Sequence, residues 1–206
     1  MLKHFIWDFD GTLFDSYPAI CEAFQRALRE YGHDADKEEI FSHMIITIPT
    51  ACRYYQEKLG LPDECITRFR QIQREIEPDW LVPIRGIMAF CEEVVKRGGH
   101  NYIYTHRGAT THGFMEKSGM GAFFTEYVTA VDPGFTQKPS PDAIRYLMEK
   151  YGMDPEETVM IGDRPIDVQS GKNAGVYGCF FDTGRTGTDG GADWIIYDID
   201  ELKKYW

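Results

Sequence analysis

Phe5-Ile6-Trp7-Asp8-Phe9-Asp10-Gly11-Thr12 is the stretch from which the rest of the chain is read. Three large apolar residues in a row mark a short buried strand, and Asp8, Asp10 and Gly11 end it in a turn. Two carboxylates therefore stand two positions apart at one strand end, before any helix has begun.

Outward from that turn, Ser16 and Pro18 open a helix as cap and first-turn residue. Ile20, Phe24, Ala27, Leu28 and Tyr31 recur on its inner face and Gly32 stops it. The region from Tyr17 to Asp79 holds no strand pattern. It predicts further amphipathic helices over 37–45, 48–59 and 63–77, punctuated by Pro49, Gly60, Pro62 and Pro78. Beyond Pro83 the rhythm changes. A helix carrying Ile84, Ile87, Met88, Cys91, Val94 and Val95 stops at Gly98-Gly99, and a strand follows over 101–105. Helical and strand patterns then alternate: helix 109–118, strand 125–131, a helix opened by Ser140 and Pro141, strand 158–161, helix 165–174 and strand 176–181. The helix after Ser140 buries Ile144, Leu147, Met148 and Tyr151 and closes at Gly152. A glycine-rich turn over 184–191, a short strand at 194–196 and a last helix at 199–205 complete the chain.

Strands alternating with helices predict parallel βαβ units in a three-layer α/β sheet, Rossmann-like in plan. The core comprises 1–15 and 80–206, with an α-helical insert over 16–79. Right-handed crossovers place the C-terminal ends of the strands on one edge, where ligands bind.

Composition narrows the function. With 206 residues, 43% of them apolar, the chain can bury a real core. A net charge of −11 without any basic run argues against a nucleic-acid partner. A small phosphorylated metabolite remains compatible with an acidic chain when the pocket is locally positive, and a metal ion can supply that charge. Five cysteines, odd in number and with no C-x-x-C pair, indicate neither a disulfide framework nor a zinc knuckle. No stretch approaches the roughly 18 apolar residues of a membrane span, and the N-terminus lacks a signal peptide's apolar region, so the expected address is the cytoplasm.

The strand ends share a chemical theme. The first closes in Asp8-Phe9-Asp10-Gly11-Thr12, the next core strand in Thr105, and a later one in Gly162-Asp163, with Asp167 one helical turn on and Lys138 in the loop before the 140–151 helix. In this order and on these elements the motifs resemble those of the haloacid dehalogenase-like hydrolases, from residue 4 to about 182. Asp8-x-Asp10-Gly11-Thr12 matches the first motif of that family and Thr105 the second. Lys138 matches the third, and Gly162-Asp163-Arg164-x-x-Asp167 the fourth. The insert after the first motif resembles the family's helical cap, as in relatives of phosphoglycolate phosphatase and β-phosphoglucomutase.

The resemblance implies a Mg²⁺-dependent phosphatase working through an aspartyl-phosphate. In it Asp8 is the nucleophile and Asp10 the general acid and base. Thr105 and Lys138 hold the transferring phosphoryl group. Asp8, the backbone carbonyl of Asp10, and Asp163 bind the ion, which suits oxygen ligands. Asp167 binds an ion-bound water or orients Lys138, and backbone N–H groups near Gly11 complete the cradle. It also implies a cap hinged near 14–17 and 78–83 that closes over substrate.

His106, Arg107 and Arg164 neighbour these motifs and are candidate substrate contacts. His100, His106 and His112 share no single helix or strand and predict no metal cluster, and Arg53, Tyr54 and Tyr55 read as packing or surface of the insert. Asp10 speaks for phosphoryl chemistry, because dehalogenases and phosphonate hydrolases of the family lack it. A sugar-phosphate mutase or phosphotransferase stays open. A phospho-accepting receiver module would need neither the paired carboxylates nor the helical insert, and no G-x-G-x-x-G follows the first strand to hold a nicotinamide cofactor. Phosphoglycolate, sugar phosphates and nucleoside monophosphates are all open as substrates, since specificity lies in the insert and in loops such as 106–112.

Overall fold

The computed structural model describes every residue except 130 and 184–187. In chain order the elements are β1 (His4–Trp7), β2 (Phe14–Asp15), α1 (Tyr17–Glu30), α2 (Lys37–Met44), α3 (Ile48–Leu59), α4 (Asp63–Trp80), β3 (Val82–Pro83) and α5 (Ile87–Lys96). They continue with β4 (His100–Tyr104), α6 (Thr110–Lys117), β5 (Phe124–Val128), α7 (Asp142–Tyr151), β6 (Thr158–Gly162), α8 (Pro165–Ala174), β7 (Tyr177–Phe181) and β8 (Trp194–Ile196). The chain divides into two compact units, one made of Met1–Phe14 with Pro83–Trp206 and the other of Asp15–Val82.

The first unit is built on a six-stranded sheet in the order β5-β4-β1-β6-β7-β8, every pair parallel. Strand order reverses at β1, which lies between β4 and β6, so the crevice of a topological switch point opens at its C-terminal end. Trp7 pairs with Ile103 on one side and Ile161 on the other. One residue further along, Asp8 therefore lies level with Tyr104 and Gly162. One further again, Thr105 and Asp163 leave their strands together.

Alternation along β1 sends its side chains to opposite layers. Ile6 joins Tyr102, Tyr104, Ile144, Leu147 and Met160 in one core. Phe5 and Trp7 meet Phe90 of α5 edge-on at 5.7 and 5.8 Å. Asn101 is satisfied in that layer: it accepts the Trp7 indole N–H at 3.0 Å and donates to the carbonyls of Cys91 and Phe123. An unpartnered amide there would cost about 1–3 kcal/mol. On the other side α8 presses against β6 and β7 because glycines leave it room. A Cβ at Gly171 would come within 2.8 Å of the Met160 Cβ, and one at Gly178 within 2.9 Å of the Val168 Cγ1.

The second unit is four helices around an apolar centre that includes Ile20, Phe24, Leu28, Ile40, Met44, Tyr55, Phe69 and Ile72. The Asp36 carboxylate caps α2 by accepting from Glu38 N and Glu39 N, and the Thr47 hydroxyl caps α3 by accepting from Thr50 N.

Some local expectations give way. Ser16 occupies the N-cap of α1 but makes no side-chain capping bond, because its backbone is already helical (φ −97°, ψ −20°). α4 runs through Pro78 to Trp80. A proline in the last turn removes one N–H yet leaves Leu81 N free to close on Glu77 O at 2.9 Å. α5 starts at Ile87 rather than Ile84, since Gly86 is left-handed at φ 85°. Pro141, not Ser140, is the N-cap of α7. Residues 199–205 wind as a 3-10 helix. The first four residues of the glycine-rich turn at 184–191 lie outside the described residues.

Candidate active site

Asp8 is reached from β1 by one more ladder bond, its N–H donating to Ile161 O at 2.9 Å. Its side chain is completely buried at the C-terminal edge of the sheet. The turn that follows is tight. Phe9 O accepts from Leu13 N and Phe14 N at 3.0 Å each, and Gly11 adopts φ 72°, a left-handed conformation that other residues resist.

Two cations hold the Asp8 carboxylate, one on each oxygen. Lys138 Nζ lies 2.9 Å from Oδ1 and Arg164 Nη2 lies 2.9 Å from Oδ2. Lys138 Nζ also meets Asp167 Oδ1 at 2.8 Å, so it bridges two buried carboxylates, and it stands 4.8 Å above the Tyr104 ring. The other oxygen of Asp167 accepts the Arg164 backbone N–H at 3.0 Å, fixing the start of α8. Asp167 fits because Gly162 has no side chain: a Cβ there would stand 2.5 Å from the Asp167 carboxyl carbon.

The electrostatics separate the two acids. Burial opposes ionisation of Asp8, but the Lys138 ammonium and the Arg164 guanidinium outweigh it and hold the Asp8 carboxyl well below the usual carboxylate range. Asp167 is pushed upward, by burial first and then by the Asp8 charge. Asp8 is thus an ionised, desolvated carboxylate at the mouth of the switch point.

Asp10 belongs to a second pair. Arg107 Nη2 meets its Oδ1 at 2.6 Å, with side-chain exposures of only 6% and 18%. The guanidinium lies over the rings of Phe9 and Phe114, 4.8 and 5.4 Å from their centres, and the Arg107 backbone N–H donates to the Thr105 hydroxyl at 3.0 Å. His106, between them, turns the other way. Its Nε2 accepts the Lys138 backbone N–H at 2.8 Å, and burial, reinforced by the Lys138 charge, holds its ring down to about 4.

The structure thus brings Asp8, Lys138, Arg164 and Asp167 into direct contact, and separately joins Asp10 to Arg107 and Thr105 to the Arg107 backbone. Asp163 completes an acidic group. One oxygen from each of Asp8, Asp163 and Asp167 lies within 4.8 Å of the others. An all-oxygen, carboxylate-rich set of that size fits a hard divalent cation whose remaining positions are filled by water. Gly11 enters through its backbone, its carbonyl accepting the Thr183 hydroxyl at 3.3 Å.

Residues outside the sequence-derived set also shape the site. The Thr12 hydroxyl donates to Asp163 Oδ1 at 3.4 Å, a contact the sequence reading did not assign. Gly162 was visible only as the neighbour of Asp163. Phe114, on α6, carried no signal at all, because a ring on a helix reads as core until an arginine is found on its face.

Comparison with known proteins gives the family. The family described as haloacid dehalogenase-like hydrolase matches residues 5–180. A pyrophosphatase PpaX of Bacillus velezensis is 30% identical over 175 residues, which are 82% of this chain and 78% of that protein. A phosphoglycolate phosphatase of Vibrio cholerae is 24% identical over 199 residues, covering 85% of this chain and 82% of that one. Among solved structures, a hydrolase from Streptococcus pneumoniae TIGR4 is 30% identical with a TM-score of 0.65, over 86% of this chain and 91% of its own. The fold, the strand-end acids and the matched span together make this chain a member of the haloacid dehalogenase-like hydrolases.

Proposed function

We propose that the chain is a Mg²⁺-dependent phosphatase acting on a small phosphorylated metabolite through a phosphorylated Asp8. The observation that carries this reading is the state of Asp8, a fully buried carboxylate kept ionised by Lys138 and Arg164 beside a second carboxylate, Asp10. A nucleophile of that kind suits phosphoryl transfer, where positioning and charge neutralisation supply most of the rate. Relatives named as a pyrophosphatase and a phosphoglycolate phosphatase point the same way.

In the first half-reaction an Asp8 oxygen attacks phosphorus as the bond to the leaving oxygen breaks, and Asp10 gives that oxygen its proton. In the second, a water oxygen attacks the same phosphorus, the bond to Asp8 breaks, inorganic phosphate departs and Asp10 takes the water's proton. Lys138 and Arg164, which neutralise Asp8 at rest, would turn their donors toward the phosphoryl oxygens as charge spreads onto them. The Thr105 hydroxyl would join them. Asp8, Asp163 and the Asp10 carbonyl, with Asp167 in the same acidic group, would hold Mg²⁺, which when bound would supply the positive charge that lets an anionic nucleophile approach an anionic phosphoryl group. Asp167 keeps Lys138 aimed.

The test is phosphate release from a panel of phosphorylated metabolites, with and without Mg²⁺, for wild type and Asp8→Asn. Turnover that requires both the ion and Asp8 supports the reading. Equal rates for the two proteins would overturn it.

A further inference from the structure

Three cations of the site among the described residues divide by position. Lys138 and Arg164 both rest on Asp8, the phosphorus side of the reaction. Arg107 rests on Asp10. In the proposed mechanism Asp10 touches the leaving oxygen, within about 2.5–3.0 Å for an O–H···O bond. The Arg107 guanidinium, 2.6 Å from the Asp10 carboxylate, therefore stands on the leaving-group side, within one further bond or two of that oxygen.

Nothing about a neutral leaving group calls for a buried guanidinium there. Desolvating the cation is costly and the stack on Phe9 and Phe114 restricts its rotation, so the group is preorganised for one position. A planar guanidinium held that way matches a carboxylate or phosphate edge. We infer that Arg107 selects substrates whose leaving group carries a second anion, a carboxylate or a phosphate, on the atom bonded to the leaving oxygen or the next one along. This rests on the phosphatase reading above and narrows its substrate class. At rest, Asp10 occupies the guanidinium. A second anion takes over those donors, which fastens the leaving group and releases Asp10 for proton transfer in the same exchange. A substrate lacking that anion leaves the Arg107–Asp10 pair closed.

The inference separates matched substrates. Phosphoglycolate is to be compared with 2-hydroxyethyl phosphate, which lacks only the carboxylate. Ethylene glycol bisphosphate is to be compared with the same 2-hydroxyethyl phosphate, which lacks only the second phosphate. Wild type should prefer the member with the second anion in at least one pair by on the order of tenfold or more in kcat/KM, the scale of one charge-assisted hydrogen bond. Which pair shows it distinguishes carboxylate from phosphate. Arg107→Gln should bring that preference close to unity, with most of the change in KM for the second-anion substrate, and Arg107→Lys should keep part of it. A purely supporting role for Arg107 would lower both members of a pair alike and leave their ratio unchanged. That result overturns the inference while leaving the phosphatase reading intact, as does a wild type that ignores the second anion in both pairs. If Arg107→Gln does not fold, the wild-type ratios and Arg107→Lys decide. Turnover that never depends on Asp8 overturns both.

Discussion

His106 Nε2 accepts the backbone N–H of Lys138 at 2.8 Å, tying the residue after Thr105 to the loop that delivers the site's ammonium. An accepting Nε2 means a neutral ring with its proton on Nδ1. Protonation would turn an acceptor into a donor facing an N–H, with the Lys138 and Arg164 charges nearby, Asp8 opposing them, and Tyr104 edge-on to the ring. The folded-state value is depressed from 6.5 to about 4, so the unfolded chain binds the proton more readily between those limits. Stability should therefore be fully present above pH 6.5 and decline as pH falls toward 4. Urea unfolding across that range should show the decline, and His106→Asn, which keeps an acceptor but does not titrate, should flatten it.

Removing the bridging cation should be severe. Lys138→Met leaves Asp8 and Asp167 buried beside each other without the group between them, and breaking a buried pair this way typically costs about 3–5 kcal/mol. Asp167→Asn added to Lys138→Met should recover part of that loss, so the double variant should be more stable than the sum of the singles. Denaturant midpoints for the four proteins of the cycle provide the check.

Two glycine substitutions should move in opposite directions. Gly162→Ala drives a methyl group into the Asp167 carboxyl and should lower phosphate release by on the order of a hundredfold, the scale of a misplaced catalytic group. Gly113→Ala, inside α6 with nothing within 4 Å of the new methyl, should stabilise the protein by about 0.5–1 kcal/mol. Thermal melts alongside activity assays distinguish the two.

Mg²⁺ should raise the melting temperature. Binding to the folded chain alone adds RT ln(1 + [Mg²⁺]/Kd), about 2.7 kcal/mol at a hundredfold excess over Kd. EDTA should reverse the rise and Asp163→Asn should remove most of it. Retention of the full rise in Asp163→Asn would place the ion elsewhere.

The fold was legible because its cause is local. Apolar runs such as Phe5–Trp7 and Thr158–Ile161 alternate with helical patterns closed by Gly32, Gly98 and Gly152, and a parallel sheet brings the following residues to one edge. That geometry also made the acids at 8, 163 and 167 readable as one group. The pairings were another matter. Arg107 is 97 positions from Asp10 and Arg164 is 156 from Asp8, and an arginine beside a motif looks the same whether it faces water or a carboxylate. Ser16 looked like a cap by residue type, whereas its backbone torsions decide against the bond.

Trp7 immediately precedes Asp8, is fully buried, and spends its indole N–H on Asn101 in the layer opposite the Asp8 side chain. The chain therefore carries its own optical gauge. The other three tryptophans, at 80, 194 and 206, are at least partly open to solvent, so the bluest fluorescence belongs to Trp7. Since its ring is held by Phe90 of α5 and by Asn101, a change in that emission during turnover would register a change in the packing around β1.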